Sequence, residues 1–288
     1  MDKKFTVKEI LGGIKLLKSG KASAHDIVDN DLIKATSLTV SPFICDIFNK
    51  ILTLEYIPKS WGNSIIIPLY KSGELFDPNN YRGISISSCL SKLFTLLMNN
   101  RLNAYLESHN TIKFNQIGFR KGFRPADQVF TLKTLIDQSF HDKEDLFVCF
   151  VDFKKAYDTV WRDGLYLKLL NNGISKKFVR IIMNMYSSLK SQVMTNGLSH
   201  YFPSLVGLKQ GCNLSPALFN IFINDLIENL PMFDSCPKLG SLSLNCLFYA
   251  DDLVLIAKSR EDLQKLIDSL YEYSNKWFLG VNIKKTKT

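Results

Sequence analysis

The stretch that most constrains the fold is Phe248-Tyr249-Ala250-Asp251-Asp252, set inside the apolar run Leu242 to Ala257. Leu247 to Tyr249 on one side and Leu253 to Ile256 on the other are aromatic and branched, the pattern of two short strands. Ala250 and Asp251 then form the turn between them. Two adjacent carboxylates at a hairpin tip repel each other, and against an apolar sheet their desolvation is costly unless a positive charge sits there. A divalent cation would supply that charge. The plain alternative is an exposed acidic turn, since Asp is common in turns, and a second, distant acidic strand end argues against it.

Leu146 to Asp152 is such an end. Apolar residues run almost unbroken into Asp152, and a helix is expected only after Val160. Asp152 therefore lies where a buried strand emerges, a place where ligands collect. Further on, Ser191 to Thr195 and Leu198 to Leu205 flank Asn196-Gly197, a strong hairpin signal. With that hairpin set aside as an insertion, the order is strand, helix, strand, strand, helix, strand, a split β-α-β arrangement of the α+β class. Its first and third strands are antiparallel neighbours. Asp152 then lies beside Asp252, although Asp251 follows Asp152 by 99 positions. Three carboxylates at one sheet edge can hold two divalent ions about 3.5–4 Å apart, the arrangement of phosphoryl-transfer chemistry.

Elsewhere the pattern is mostly helical. Thr6 to Glu9 has capping-box spacing ahead of Ile10, Leu11, Ile14 and Leu17, with Ser19-Gly20 as the stop. A second helix is expected from Ser41-Pro42, with Phe43, Ile47, Ile51 and Leu52 on its buried face. Ser64 to Tyr70 reads as a strand, followed by a polar loop carrying Lys71 and Arg82 that could close over an anion. A long amphipathic helix from Ser87 is core packing. The loop Phe114 to Arg124 interleaves Phe114, Phe119 and Phe123 with Arg120, Lys121 and Arg124, groups that hold phosphates and stack bases; a solvated loop is the alternative. Helices follow around Leu165 to Leu170 and Lys177 to Leu189, and another starts at Ser215-Pro216. Ser259 caps a helix through Leu279, Gly280 ends it, and Val281 to Ile283 begins a strand.

The charge of +9 on 288 residues favours an anionic partner, and 46% hydrophobic content is ample for a core. The six cysteines form no CxxC pair and no zinc-like spacing. No N-terminal signal pattern is visible, nor a run of about 18 apolar residues that could span a bilayer. No membrane partner and an intracellular location are expected.

Phe150-Val151-Asp152-Phe153-Lys154-Lys155-Ala156-Tyr157-Asp158, Gly207 to Pro216, Phe248 to Asp252 and Asn282-Ile283-Lys284-Lys285-Thr286 follow one another in an order that resembles the reverse transcriptases of non-LTR (LINE-type) retrotransposons. Ile67 to Lys71, Asn80 to Ser85 and Gln116 to Arg120 look like the fingers motifs of the same family. The resemblance implies a right-hand polymerase: 1–85 N-terminal extension and fingers, 86–159 and 207–288 the two palm segments, 160–206 an insertion. It implies RNA-directed DNA synthesis from an RNA template, a DNA primer and deoxynucleoside triphosphates, with two Mg²⁺ ions or Mn²⁺ in their place, in the nucleus.

By the same resemblance Asp152, Asp251 and Asp252 are the catalytic metal ligands, with the Phe153 carbonyl helping. Tyr157 sits under the sugar and excludes a 2′-hydroxyl. Gln210 and Gly211 lie along the incoming nucleotide, Lys71 and Arg82 grip its triphosphate, and Lys285 protonates the leaving pyrophosphate. Phe119, Arg120 and Tyr249 face template or primer. Phosphates do favour Arg and Lys clamps, whereas exposed Lys is common without function. Two departures stand out. Lys21-Ala22-Ser23-Ala24-His25-Asp26 lacks the family's usual Pro-Gly, and the chain reaches Thr288 without a thumb, an endonuclease or a cysteine-rich tail, as a fragment or a decayed copy would. The alternatives are a non-catalytic nucleic-acid-binding remnant and an RNA-templated RNA polymerase, which Tyr157 disfavours.

Overall fold

The computed structural model describes residues 1–21, 24, 26 and 28–288, so half of the Lys21 to Asp26 stretch, where Pro-Gly is missing, lies outside the described residues. In chain order the helices and strands begin α1 Val7–Leu16, α2 Asn30–Ala35, α3 Ser37–Leu54, α4 Lys59–Gly62, β1 Asn63–Tyr70, β2 Tyr81–Ile86 and α5 Cys89–Ser108. They continue α6 Pro125–Asp142, β3 Phe147–Val151, α7 Ala156–Thr159, α8 Arg162–Asn171, α9 Lys176–Ser187, β4 Lys190–Val193 and β5 Phe202–Pro203. The last are α10 Ser215–Asn224, α11 Leu226–Asn229, β6 Lys238–Leu239, β7 Leu242–Ser243, β8 Cys246–Tyr249, β9 Asp252–Ala257 and α12 Arg260–Trp277. The fold is α+β, and the chain divides into two compact units.

The first unit comprises Met1–Tyr105, Leu169–Leu205 and Lys209–Ser215. Its core gathers Phe5, Phe48, Trp61 and Phe94, whose ring centroids lie 5.2–6.0 Å apart, mostly edge to face. Edge-to-face contacts suit the ring quadrupole and add to the burial of large apolar area. A sheet of order β2-β1-β4-β5 completes the unit. Strand β2 replaces part of the polar loop expected after Tyr70: it pairs antiparallel with β1 from Ile65↔Ile86 to Tyr70↔Tyr81. Arg82, Gly83 and Ser85 hide it from a pattern reading, since its strand character comes from its partner. The Asn196-Gly197 hairpin forms with a short second arm, β5, and β4 joins β1 in parallel.

Helix α3 starts at Ser37 rather than at Ser41-Pro42, because the Thr36 carbonyl accepts the first turn's N–H groups from Thr39 and Val40. Pro42 lies inside it. The buried residues are Ser41, Ile44, Cys45, Phe48, Ile51 and Leu52, while Phe43 and Ile47, expected inside, are exposed. This helix is long and apolar enough, by length and composition, to cross a membrane, which corrects the expectation that no such run exists.

The second unit comprises Leu106–Lys168, Val206–Leu208 and Pro216–Thr288. At its centre is a three-stranded sheet of order β3-β9-β8, all antiparallel. The first and third strands of the split β-α-β order are therefore neighbours, as expected. Leu135 of α6 packs on Leu244, Leu247 and Ile256 to form the core over one face. Helix α6 has no counterpart in the sequence expectation, because only Leu135 is buried along it and its apolar Val129, Phe130 and Phe140 are exposed. Helix α7 opens at Ala156, ahead of the expected start after Val160. Helix α12 is capped by Ser259 but closes on Phe278 in the left-handed region, short of Gly280. Beyond it no strand forms at Val281 to Ile283: two isolated bridges, Phe153↔Val281 and Phe150↔Lys287, flank a turn.

Candidate active site

In the second unit, the antiparallel register Phe150↔Val254, Val151↔Leu253 brings the residue after β3, Asp152, level with Asp252, the first residue of β9. On the other side of β9, Tyr249 pairs with Asp252, so Ala250 and Asp251 are a two-residue hairpin loop. The three aspartates thus share one end of the sheet, and no lysine or arginine among the described residues forms an ion pair with them. Burial first, and then the charges of Asp251 and Asp152, push the Asp252 carboxyl above its usual range. Crowded carboxylates without a counter-ion repel.

Ala250 has φ +59°, whereas Asp251 is not left-handed. Among the hairpin turns that match strand twist, a positive φ at the first loop position alone is the type II′ pattern, where Gly is preferred. Alanine there costs roughly 1–2 kcal/mol. What holds it is the segment Asn115–Gly118. Ile117 N–H donates to the Phe248 carbonyl at 3.2 Å and Phe248 N–H donates to the Asn115 carbonyl at 2.9 Å, so this segment runs beside β8. The fully buried Gln116 side chain reaches the turn: Nε2 donates to the Ala250 carbonyl at 3.0 Å, and Oε1 accepts from Ala250 N–H at 3.0 Å and Gly118 N–H at 2.9 Å. A Cβ at Gly118 would lie 2.2 Å from Ala250 N, so only glycine permits this approach.

Asp152 is fixed from the opposite side. Asn282 Nδ2 donates to its Oδ2 at 2.8 Å and Asn282 N–H to its carbonyl at 2.7 Å. The Phe153↔Val281 bridge uses the Asp152 and Gly280 carbonyls, not that of Phe153. Lys285 is exposed on the turn that follows Asn282. Tyr157 stacks on Phe219, with centroids 4.7 Å apart and 14° between planes. Among the described residues its buried hydroxyl has no hydrogen-bond partner, and burial together with the Asp251 charge drives its acidity down. Phe119 lies 6.4 Å from Tyr249, ring to ring. Arg120 is already engaged, donating twice to Glu107 at 2.8 and 2.9 Å and once to the Gln116 carbonyl at 3.2 Å.

The remaining candidates lie in the first unit: Arg82 in β2, Lys71 just past the end of β1, and Gln210 and Gly211 beside Ser85 of β2. Arg82 stands opposite Leu69, and Lys71 N–H donates to the Asn80 carbonyl at 2.9 Å. Ser85 N–H donates to the Gln210 carbonyl at 3.1 Å, and Gly211, at φ +95°, would carry a Cβ 3.0 Å from the Ser85 carbonyl oxygen. The structure therefore gathers Asp152, Phe153, Tyr157, Asp251, Asp252 and Lys285 in one unit and Lys71, Arg82, Gln210 and Gly211 in the other.

Reading by motif passed over Gln116, Gly118 and Asn282 as site residues, although all three stand inside quoted motifs. Their partners are 130 or more positions away for Asn282 and Gln116, and only a Gln two positions before a Gly in the Phe114 to Arg124 loop hints at them.

Among the described residues no three His, Cys, Asp or Glu side chains close on a point ready to hold a metal ion. The donor chemistry nevertheless fits a hard divalent cation: carboxylate oxygens and net negative charge, with no ion pair to a basic side chain among the described residues.

The chain belongs to the reverse transcriptase (RNA-dependent DNA polymerase) family, whose model matches residues 69–288. Its relatives are polymerases of non-LTR retrotransposons. It is 31% identical to the probable RNA-directed DNA polymerase from transposon BS of Drosophila melanogaster, over 99% of this chain and 32% of that protein. It is 26% identical to the RNA-directed DNA polymerase from mobile element jockey of the same fly, over 97% of this chain and 31% of that protein. The chain thus spans about a third of the length of these relatives. Among solved structures it resembles apo telomerase from Candida tropicalis truncated from its C-terminal domain, with TM-score 0.59 and 16% identity over 84% of this chain and 55% of that one. A likeness at that identity is one of fold.

Proposed function

We propose that this chain is the polymerase domain of a non-LTR retrotransposon, extending a DNA primer on an RNA template by nucleotidyl transfer from deoxynucleoside triphosphates. The observation that carries this reading is the convergence of Asp152, Asp251 and Asp252 on one sheet end, with no ion pair to a basic side chain among the described residues. In this reading the three carboxylates, with the Phe153 carbonyl, hold two Mg²⁺ ions or Mn²⁺ in their place. When bound, such ions activate the attacking 3′-oxygen and neutralise the leaving phosphate. Lys71 and Arg82 grip the triphosphate, Gln210 and Gly211 line the nucleotide, Tyr157 walls off the 2′ position, and Lys285 gives a proton to pyrophosphate. Phe119 and Tyr249 offer rings to template or primer, where Arg120 can add charge only by leaving Glu107. Residues 86–159 and 207–288 form a palm, 1–85 the N-terminal extension and fingers, and 160–206 an insertion.

Primer extension with Mg²⁺ or Mn²⁺ is the test. Asp251→Asn should abolish extension and leave primer-template affinity unchanged, since it removes a metal ligand and not a phosphate contact. Affinity should fall steeply with salt as counterions are released. Extension by Asp251→Asn at the wild-type rate would reject the assignment, and salt-dependent binding with no extension in any metal would leave a nucleic-acid-binding remnant.

A further inference from the structure

We infer that Gln116 and Gly118 are positioning residues for Asp251 and Asp252, forming a side-chain clamp that holds Ala250 in its left-handed conformation. The inference rests on the reading that these aspartates bind metal. Gln116 acts as a surrogate strand. Its amide pairs with both the N–H and the C=O of Ala250, 134 positions away, and thereby satisfies both polar groups of the first loop residue. In an ordinary two-residue hairpin the loop groups face solvent, and the loop is free to flex. Here they are buried and fixed, and the fixed residue directly precedes both acids.

Four further hydrogen bonds rigidify the clamp. Gln116 Oε1 is oriented by Gly118 N–H, and Asn220 Nδ2 holds the Gly118 carbonyl at 2.7 Å. Gln128 Nε2 braces the Asn115 and Phe248 carbonyls at 2.9 and 3.1 Å. The amide orientation of Gln116 follows from this network, because the reversed amide would set two donors against N–H groups and an acceptor against a carbonyl. The Gln116 side-chain amide bonds backbone groups of Ala250 and Gly118, so its contribution reaches the acids through the turn. It should set where the two carboxylates stand, and hence how tightly they hold an ion.

Purified chain carrying Gln116→Leu, Gly118→Ala, Gln116→Glu or Asp251→Asn tests this, with Mn²⁺ binding read from the free-ion electron paramagnetic resonance signal. Primer extension and primer-template affinity are measured on the same samples, well below each unfolding temperature. Gln116→Leu and Gly118→Ala should weaken Mn²⁺ binding by about 10–100-fold, the usual effect of losing an outer-shell partner, and leave primer-template affinity unchanged. A residue that only stabilised the fold would lower the unfolding temperature and leave Mn²⁺ affinity of the folded protein at the wild-type value.

Gln116→Glu keeps the size and the acceptor of the native side chain, and serves if the other two variants do not fold. Its buried carboxyl should titrate above the usual range. Protonated, it can donate to the Ala250 carbonyl; ionised, it cannot. Mn²⁺ affinity relative to wild type should therefore recover as pH is lowered from about 8 to about 6. Wild-type Mn²⁺ affinity in Gln116→Leu and Gly118→Ala, or a flat relative profile for Gln116→Glu, overturns the clamp while leaving the metal reading intact. Unchanged Mn²⁺ binding in Asp251→Asn would instead overturn the metal reading itself.

Discussion

Asn282 grips Asp152 twice, through its side-chain amide to Oδ2 at 2.8 Å and through its backbone N–H to the carbonyl oxygen at 2.7 Å. The acid at the end of β3 is thus aimed by a residue 130 positions away. Asn282→Ala keeps the backbone bond and removes the amide. Extension by that variant should fall by about 10–100-fold with little change in primer-template affinity. Steady-state extension with a Mg²⁺ titration measures it; a wild-type rate would make Asn282 a mere turn residue.

Asp252 sets a stability cost against activity. Its carboxyl is raised above 3.8, so between 3.8 and its folded value the folded chain binds more protons than the unfolded one. Stability therefore falls as pH rises through that window, and the cost persists above it. Metal-free Asp252→Asn should unfold at a higher temperature than wild type at pH 7, and the gap should close below the unfolded value. Added Mg²⁺ should raise the unfolding temperature of wild type and not of the variant. Scanning calorimetry with and without chelator checks both.

Tyr157 separates ring from hydroxyl. The hydroxyl is buried without a partner among the described residues, so Tyr157→Phe should be neutral or stabilising, by up to about 1–3 kcal/mol. Tyr157→Ala removes the ring stacked on Phe219 and should lower sugar discrimination by about 1–3 kcal/mol. Single-nucleotide incorporation with matched ribo and deoxyribo substrates reads the difference. Unchanged selectivity in Tyr157→Ala would leave the ring a core aromatic only.

Lys168 gives a second pH handle, away from the acids. Its ammonium lies 3.6 Å from the Trp277 ring centroid and donates to Asp225 Oδ1 and the Phe222 carbonyl, each at 2.6 Å. Burial lowers it to about 8 despite Asp225. Between about 8 and the unfolded 10.5 the unfolded chain holds more protons, so stability should rise with pH across that range. Lys168→Ala should cost about 1–3 kcal/mol through its lost hydrogen bonds, since the Asp225 carboxylate left behind is partly exposed to water. Urea unfolding at pH 7.5 and 9.5 would show whether wild type gains and the variant does not.

Much of the second unit was legible because its signals are local. Apolar runs ending in Asp mark β3 and the β8–β9 hairpin, and the antiparallel pairing of β3 with β9 follows from strand order alone. What escaped depends on partners. Strand β2 is strand because β1 is beside it; the exposed apolar face of α3 misled the choice of Phe43 and Ile47 as core; α6 shows little periodicity with one buried residue. The strand expected at Val281 dissolves into two bridges because the chain turns back there to bond Asp152. At the site the acids announced themselves by charge, while Gln116 and Asn282, neutral and common, did not.

Strand β9 lies between β3 and β8, and Asp252 is its first residue. Successive strand residues face opposite sides of a sheet, so an extra residue between Tyr249 and Asp252 that shifted the pairing by one would turn Asp252, and each of Leu253 to Ala257 after it, to the other face. A one-residue length change in that loop would therefore be more damaging than most substitutions within it. Surface connections such as the one around Asn196-Gly197 carry no such constraint, and natural length variation among copies of this domain should collect there and be absent from the β8–β9 loop.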